Sequence, residues 1–129
     1  MMLETVPQRL AVCRLDAMAP IPAWATGNPF FSVTRTLDEL SVICDEAVVP
    51  ADVVANRGWV AIRVVGVIDM SVVGVMLSLA GPLAEAGVSI MPVATYDTDY
   101  VLVRNEQLHD AMAALERAGH SFKRAADGK

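Results

Sequence analysis

From Trp59 onward the apolar residues change period in an order that few folds can use. Trp59 to Val65 (WVAIRVV) is nearly continuous apolar and β-branched, which marks a central strand. From Ser71, Val72, Val75, Met76, Leu79, Leu83 and Ala86 recur at three- and four-residue steps, so they fall on one helical face. Gly87 can end that helix in the left-handed conformation, and Pro82 removes a backbone donor and should kink its last turn. Val88 to Ala94 reads as a second strand, with Pro92 requiring an edge or a bulge. Tyr100 to Arg104 reads as a third, reached through the turn Tyr96 to Asp99. Asn105 is placed to cap a helix that buries Leu108, Ala111, Met112 and Leu115 and ends at Gly119. His120 to Arg124 can add a last short strand, and residues 125–129 are expected to fray. Strand, helix, strand, strand, helix, strand is the split βαβ or ferredoxin-like plan, an α+β fold with antiparallel strands and the helices on one face.

The first half repeats part of this plan. Arg9 to Leu15 is a strand candidate, while Ala19 to Pro29 holds too many prolines for a long helix. Phe30 to Thr34 and Leu40 to Asp45 then form a hairpin, a short helical turn follows Pro50, and Arg57-Gly58 closes the half as a turn. FSVTRTLDELSVICDE (31–46) parallels PVATYDTDYVLVRNE (92–106), so two related modules are expected: residues 1–57, degenerate in its helices, and residues 58–129.

Composition narrows the function. A net charge of −5, with only 10 Lys plus Arg spread thinly, provides no basic stripe for phosphates, so nucleic acid is not an expected partner. Met70 to Ala84 is uncharged but short of the roughly 20 residues a bilayer span needs, so no membrane is expected. Cys13 and Cys44 lie in apolar runs without CxxC or Cys/His spacing, as buried thiols in a reducing compartment do. With no secretory signal visible in MMLETVPQRL, the cytoplasm is the expected location. His109 and His120 have no partner at metal-ligand spacing. GVIDMSVVG lacks the GxGxxG spacing of a dinucleotide loop, and no serine sits in a nucleophile elbow. Asp38, Glu39, Asp45 and Glu46 surround a turn, the usual solvated arrangement. No cofactor, metal or catalytic group is expected.

VVGVMLSLAGPLAEAGVSIMPVATYDTDYVLVRNEQL, with FFSVTRTLDELSVICDE upstream, resembles the CASTOR family of arginine-sensing ACT proteins and their small bacterial tandem-ACT relatives; AGPLAEAGVS and TYDTDYVLV are its most specific blocks. The resemblance covers about residues 30–46 and 58–108 and implies a tandem of ACT modules, like half of a four-unit CASTOR chain. In that family the amino acid sits between ACT domains at the strand-to-helix loop. Carried over, one unit supplies Ser89 and Ile90; the facing unit supplies Gly66, Asp69, Met70, Ser71 and Val72 from its loop and helix start, and Thr95, Tyr96 and Asp99 from its hairpin. An acidic residue of the arginine sensor aligns with Val72, and its loop glycine with Asp69.

Chemistry alone can support the same place. A helix starting at Ser71 would offer unpaired N–H groups and the positive dipole end to a carboxylate. Asp69 or Asp99 could receive an ammonium or a cationic side chain. Each residue also has a plain structural reading: Asp69 as a helix cap, Asp97 and Asp99 as turn formers, Ser89 as a backbone-satisfying hydroxyl, Thr95 and Tyr96 as strand formers. The expectation is a non-catalytic amino-acid-binding regulatory protein acting as a homodimer. The alternatives are a ligand-free interaction module and a small enzyme of amino-acid metabolism on the same scaffold.

Overall fold

A computed structural model describes residues 1–123; the expected fraying of 125–129, and Arg124 at the end of the expected last strand, lie outside the described residues. The elements run β1 (Met2–Leu15), β2 (Ser32–Arg35), β3 (Leu40–Asp45), β4 (Val54–Val64), α1 (Val75–Glu85), β5 (Ile90–Ala94), β6 (Asp99–Arg104), α2 (Leu108–Arg117) and β7 (Ser121–Phe122). The fold is α+β, with the strand and helix order expected from Trp59 onward.

The chain divides into two compact units that interleave in sequence: Gln8–Trp59 forms one, and Met1–Pro7 joins the chain from Val60 onward in the other. The sequence reading assigns the first seven residues to the first module. Leu3 explains the difference, because it is fully buried in the core of the second unit with Ile62, Val64, Val101 and Val103.

In the Gln8–Trp59 unit, β1 pairs antiparallel with β3 (Leu10 opposite Asp45, Leu15 opposite Leu40) and β3 pairs with β2 (Ser32 opposite Ile43). Its core holds Ala11, Cys13, Leu40, Val42 and Cys44. Both cysteines are free and buried. Burial pushes both thiols up, Cys44 to about 12, so neither is a nucleophile near neutral pH. The expected helical turn after Pro50 is a single turn closed from Val53 N–H to the Pro50 carbonyl. Gly58 does not close a turn between modules. It sits inside β4 at φ 84°, where the strand accommodates a residue that only glycine adopts without strain.

In the second unit the strand order is β7, β1, β4, β6, β5. Val65 N–H donates to the Met2 carbonyl and Arg63 pairs with Glu4, so the start of β1 runs antiparallel to β4. The N-terminal strand thus takes the place beside β4 that the split βαβ plan gives to the last strand. β7 is displaced outward and pairs parallel with β1 (Met2 opposite Ser121). β5 lies at an edge, as Pro92 requires. Leu79 and Leu83 from α1 and Ala111 and Leu115 from α2 enter one core, which puts both helices on the same face.

Both helices end alike. Val88 N–H reaches the Leu83 carbonyl and His120 N–H reaches Leu115, with Gly87 (φ 75°) and Gly119 (φ 102°) in the left-handed position, the double bond pattern of a Schellman cap. Pro82 leaves the Ser78 carbonyl without its helical donor; His120 Nε2–H donates to it at 3.0 Å, which lets α1 run on to Glu85.

The start of α1 corrects the sequence reading. The helix begins at Val75, behind Gly74 at φ 82°, and not at Ser71. Val67, Ile68, Met70, Val72 and Val73 carry a helix-like apolar spacing into what is a loop.

Candidate functional site

The loop between β4 and α1 and the β5–β6 hairpin face each other at one end of the second unit. Ile68 N–H donates to the Asp97 carbonyl at 2.7 Å, tying the loop to the hairpin tip. Thr98 is buried, and its Oγ1 donates to the Val64 carbonyl at 2.8 Å, fixing the tip to the end of β4. Thr95 and Thr98 close the turn with three bonds: Thr95 N–H and Oγ1 both donate to the Thr98 carbonyl at 2.9 Å, and Thr98 N–H donates to Thr95 Oγ1 at 3.2 Å.

Between these segments lies a cleft of about 170 Å³, lined by Ile68, Asp69, Met70, Val72, Val75, Ala94, Thr95, Tyr96, Thr98 and Asp99. It brings together six of the ten residues singled out from the sequence: Asp69, Met70, Val72, Thr95, Tyr96 and Asp99. Ile68, Val75, Ala94 and Thr98 are additions. Of these only Thr98 had a readable signal, the Thr-x-x-Thr spacing that lets one threonine close a turn on the other.

Four expected residues stand apart from the cleft lining. Gly66 (φ 96°) turns the chain out of β4, and Ser71 faces Asp69. Ser89 is exposed and Ile90 packs on the core, both at the far end of β5 from Ala94.

Asp69 caps a turn and not a helix. Its Oδ1 accepts from Ser71 N–H at 2.9 Å and Ser71 Oγ at 2.7 Å, while Val72 N–H donates to the Asp69 carbonyl. Those two bonds from Ser71, the backbone one first, hold the Asp69 carboxyl below its ordinary range. A depressed carboxyl contributes order that is present above the usual aspartate value of about 3.9 and is lost only as pH falls through the lower folded value. The Asp69 turn is therefore intact and anionic at neutral pH.

The lining contains two carboxylates and no Lys, Arg or His. Its rim is apolar and open, with Tyr96 81% and Met70 71% exposed. Such a site suits a small cationic group with an organic body: the acids meet the charge and the ring and thioether cover the rest. Among the described residues no group of three or more His, Cys, Asp or Glu is placed to hold a metal ion. Among the same residues no helix is long and apolar enough to cross a membrane.

Fold and cleft together define an ACT-domain protein, and the chain belongs to that family. The ACT-domain family model matches residues 54–117, and a second model, for an N-terminal domain, matches residues 8–52. Among named proteins the chain is similar to the bovine "Cytosolic arginine sensor for mTORC1 subunit 1", at 31% identity over 99 residues, 68% of this chain and 30% of that protein. It therefore spans less than a third of the length of that relative. The human protein CASTOR3P is 32% identical over 121 residues, 82% of this chain and 74% of its own. A crystal structure of an Agobacterium tumefaciens protein superposes with a TM-score of 0.90 at 38% identity, covering 95% of this chain and 91% of that one.

Proposed function

We propose that this chain is a non-catalytic regulatory protein of the cytoplasm that binds a free amino acid, with the ligand held where the ACT units of two copies meet in a homodimer. The observation that carries the reading is the convergence of Asp69 and Asp99 on one small cleft beside Tyr96. A free amino acid presents an ammonium, a carboxylate and a side chain. The two acids suit the ammonium or a basic side chain, and Tyr96 and Met70 suit the organic body. The cleft has no cationic side chain for the carboxylate, which leaves that end to the second copy, where the exposed Ser89 offers a hydroxyl and Ile90 an apolar neighbour. Neither Ser89 nor Ile90 lines the cleft of its own chain.

The bovine relative supports a sensing role, since it carries the name of an arginine sensor, and arginine is the first ligand to test. Charge-assisted hydrogen bonds contribute about 1.5–3 kcal/mol each, so two or three only offset the entropy of association, and the contacts of the organic body with Tyr96 and Met70 have to supply the net affinity.

A thermal-shift screen of the twenty amino acids tests the proposal. A ligand at a hundredfold excess over its Kd stabilises the folded protein by about 2.7 kcal/mol, a shift of several degrees for a chain this size. At least one amino acid is expected to raise Tm in proportion to the logarithm of its concentration. A flat response to all twenty at millimolar concentration removes the reading and favours an interaction module.

A further inference from the structure

What the cleft can bind depends on the groups its own chain has not already used. Of its lining, Ile68 N–H donates to the Asp97 carbonyl, Val72 N–H to the Asp69 carbonyl, Thr95 N–H to the Thr98 carbonyl and Thr98 N–H to Thr95 Oγ1. Both threonine hydroxyls are spent as well, Thr95 on the Thr98 carbonyl and Thr98 on the Val64 carbonyl. The donors that an anion needs are thus largely engaged. Acceptors remain: Asp69 commits Oδ1 to Ser71, which leaves its second oxygen, and among the described residues no donor reaches the Asp99 carboxylate.

Charge points the same way. Between Arg63 and Arg104 the chain carries Asp69, Glu85, Asp97 and Asp99 and no Lys, Arg or His. That stretch holds every residue of the lining, and Ser89 and Ile90 besides, so a second copy that completed the site with those two would add a hydroxyl and an apolar side chain but no cation. A free carboxylate placed here faces two fixed carboxylates across a small cleft, and like charges at such range repel. An ammonium meets the same two groups as partners.

We infer that the cleft selects small aliphatic amines with two cationic groups and no carboxylate, in preference to the amino acids of the same skeleton. Asp69 stands on the β4–α1 loop and Asp99 on the hairpin, the two segments that form the cleft, and Ile68, Val72, Val75 and Ala94 line it with apolar surface. A dication on a short alkyl chain matches that order: one charge for each acid, and methylenes against the aliphatic side chains. The exposed Tyr96 ring can cover one of the cations. The inference rests on the cleft being the receptor proposed above, and narrows what that receptor takes.

Two matched pairs test it: cadaverine against lysine, and agmatine against arginine, each pair differing by the α-carboxylate alone. Calorimetric titration of the full chain is expected to give the amine a Kd about tenfold or more below that of its amino acid in both pairs. Asp99→Asn, which removes the charge and keeps the size, is expected to weaken the amine about tenfold or more. Glu85→Gln, at the other end of α1, is expected to leave it unchanged. An amine bound equally by the parent and by Asp99→Asn is held by general surface charge and overturns the inference, and so does an amino acid that binds as tightly as its amine. Amines that bind while the amino acids give no response uphold the inference and remove the amino-acid reading. Amino acids that bind while the amines give none do the reverse, and silence from all of them at millimolar concentration removes both.

Discussion

Leu83→Ala is expected to destabilise the protein by about 2–5 kcal/mol, measured as a fall in the urea or thermal midpoint. Leu83 is fully buried and belongs to the cluster that joins α1 to Ile62, Val101, Val103 and Leu115. Shortening it removes apolar surface from a packed interior and leaves a cavity that the rigid sheet and second helix cannot fill. Against a total stability on the order of 5–15 kcal/mol, this is a large fraction. Leu77→Ala, six residues earlier on the outward side of the same helix, should change the stability of the isolated chain by less than about 1 kcal/mol. Equal losses at the two positions would contradict the placement of the core.

Asp99→Ala is expected to weaken amino-acid binding on the order of 10- to 100-fold, the equivalent of one charge-assisted hydrogen bond of about 1.5–3 kcal/mol. Asp99 opens β6 with its backbone opposite Ala94, so the strand pairing does not need the carboxylate. The variant should keep its fold and its oligomeric state and lose only the ligand-induced rise in Tm. Asp69→Ala is less clean, because that carboxylate also holds the Ser71 turn. A variant at Asp99 that responds to the amino acid like the parent would remove the hairpin acid from the site.

Much of the second unit could be read from its residues because local chemistry and tertiary packing agree there. Gly87 and Gly119 stop their helices where their left-handed conformation allows the Schellman bonds. Pro92 falls on an edge strand, where a missing donor costs nothing. The start of β1 was hidden, because Glu4, Thr5, Pro7 and Gln8 do not resemble a buried strand. What makes it one is remote: Arg63 neutralises Glu4 across 59 residues, and Leu3 fills a core built mostly from the other end of the chain. The start of α1 was misplaced for the opposite reason. Apolar loop residues that line a cleft or face outward have the same letters as residues that face a core, and only the positive φ of Gly74 separates them. The hairpin half of the site was legible through the resemblance and through Thr95 and Asp99. Ser89 and Ile90 are named by the resemblance, yet neither lines the cleft of the chain.

The central claim is that the Asp69 loop and the Thr95–Asp99 hairpin form a receptor for an amino acid. Backbone amide NMR of the uniformly labelled protein, titrated with the amino acid that gives the largest thermal shift, tests it most directly. Saturable shifts are expected to concentrate at residues 66–72 and 94–99, with a second set at 89–90 from the copy that completes the site. Shifts confined to other surfaces, such as the groove between Glu85 and Arg117, or none at all at saturating ligand, would contradict it.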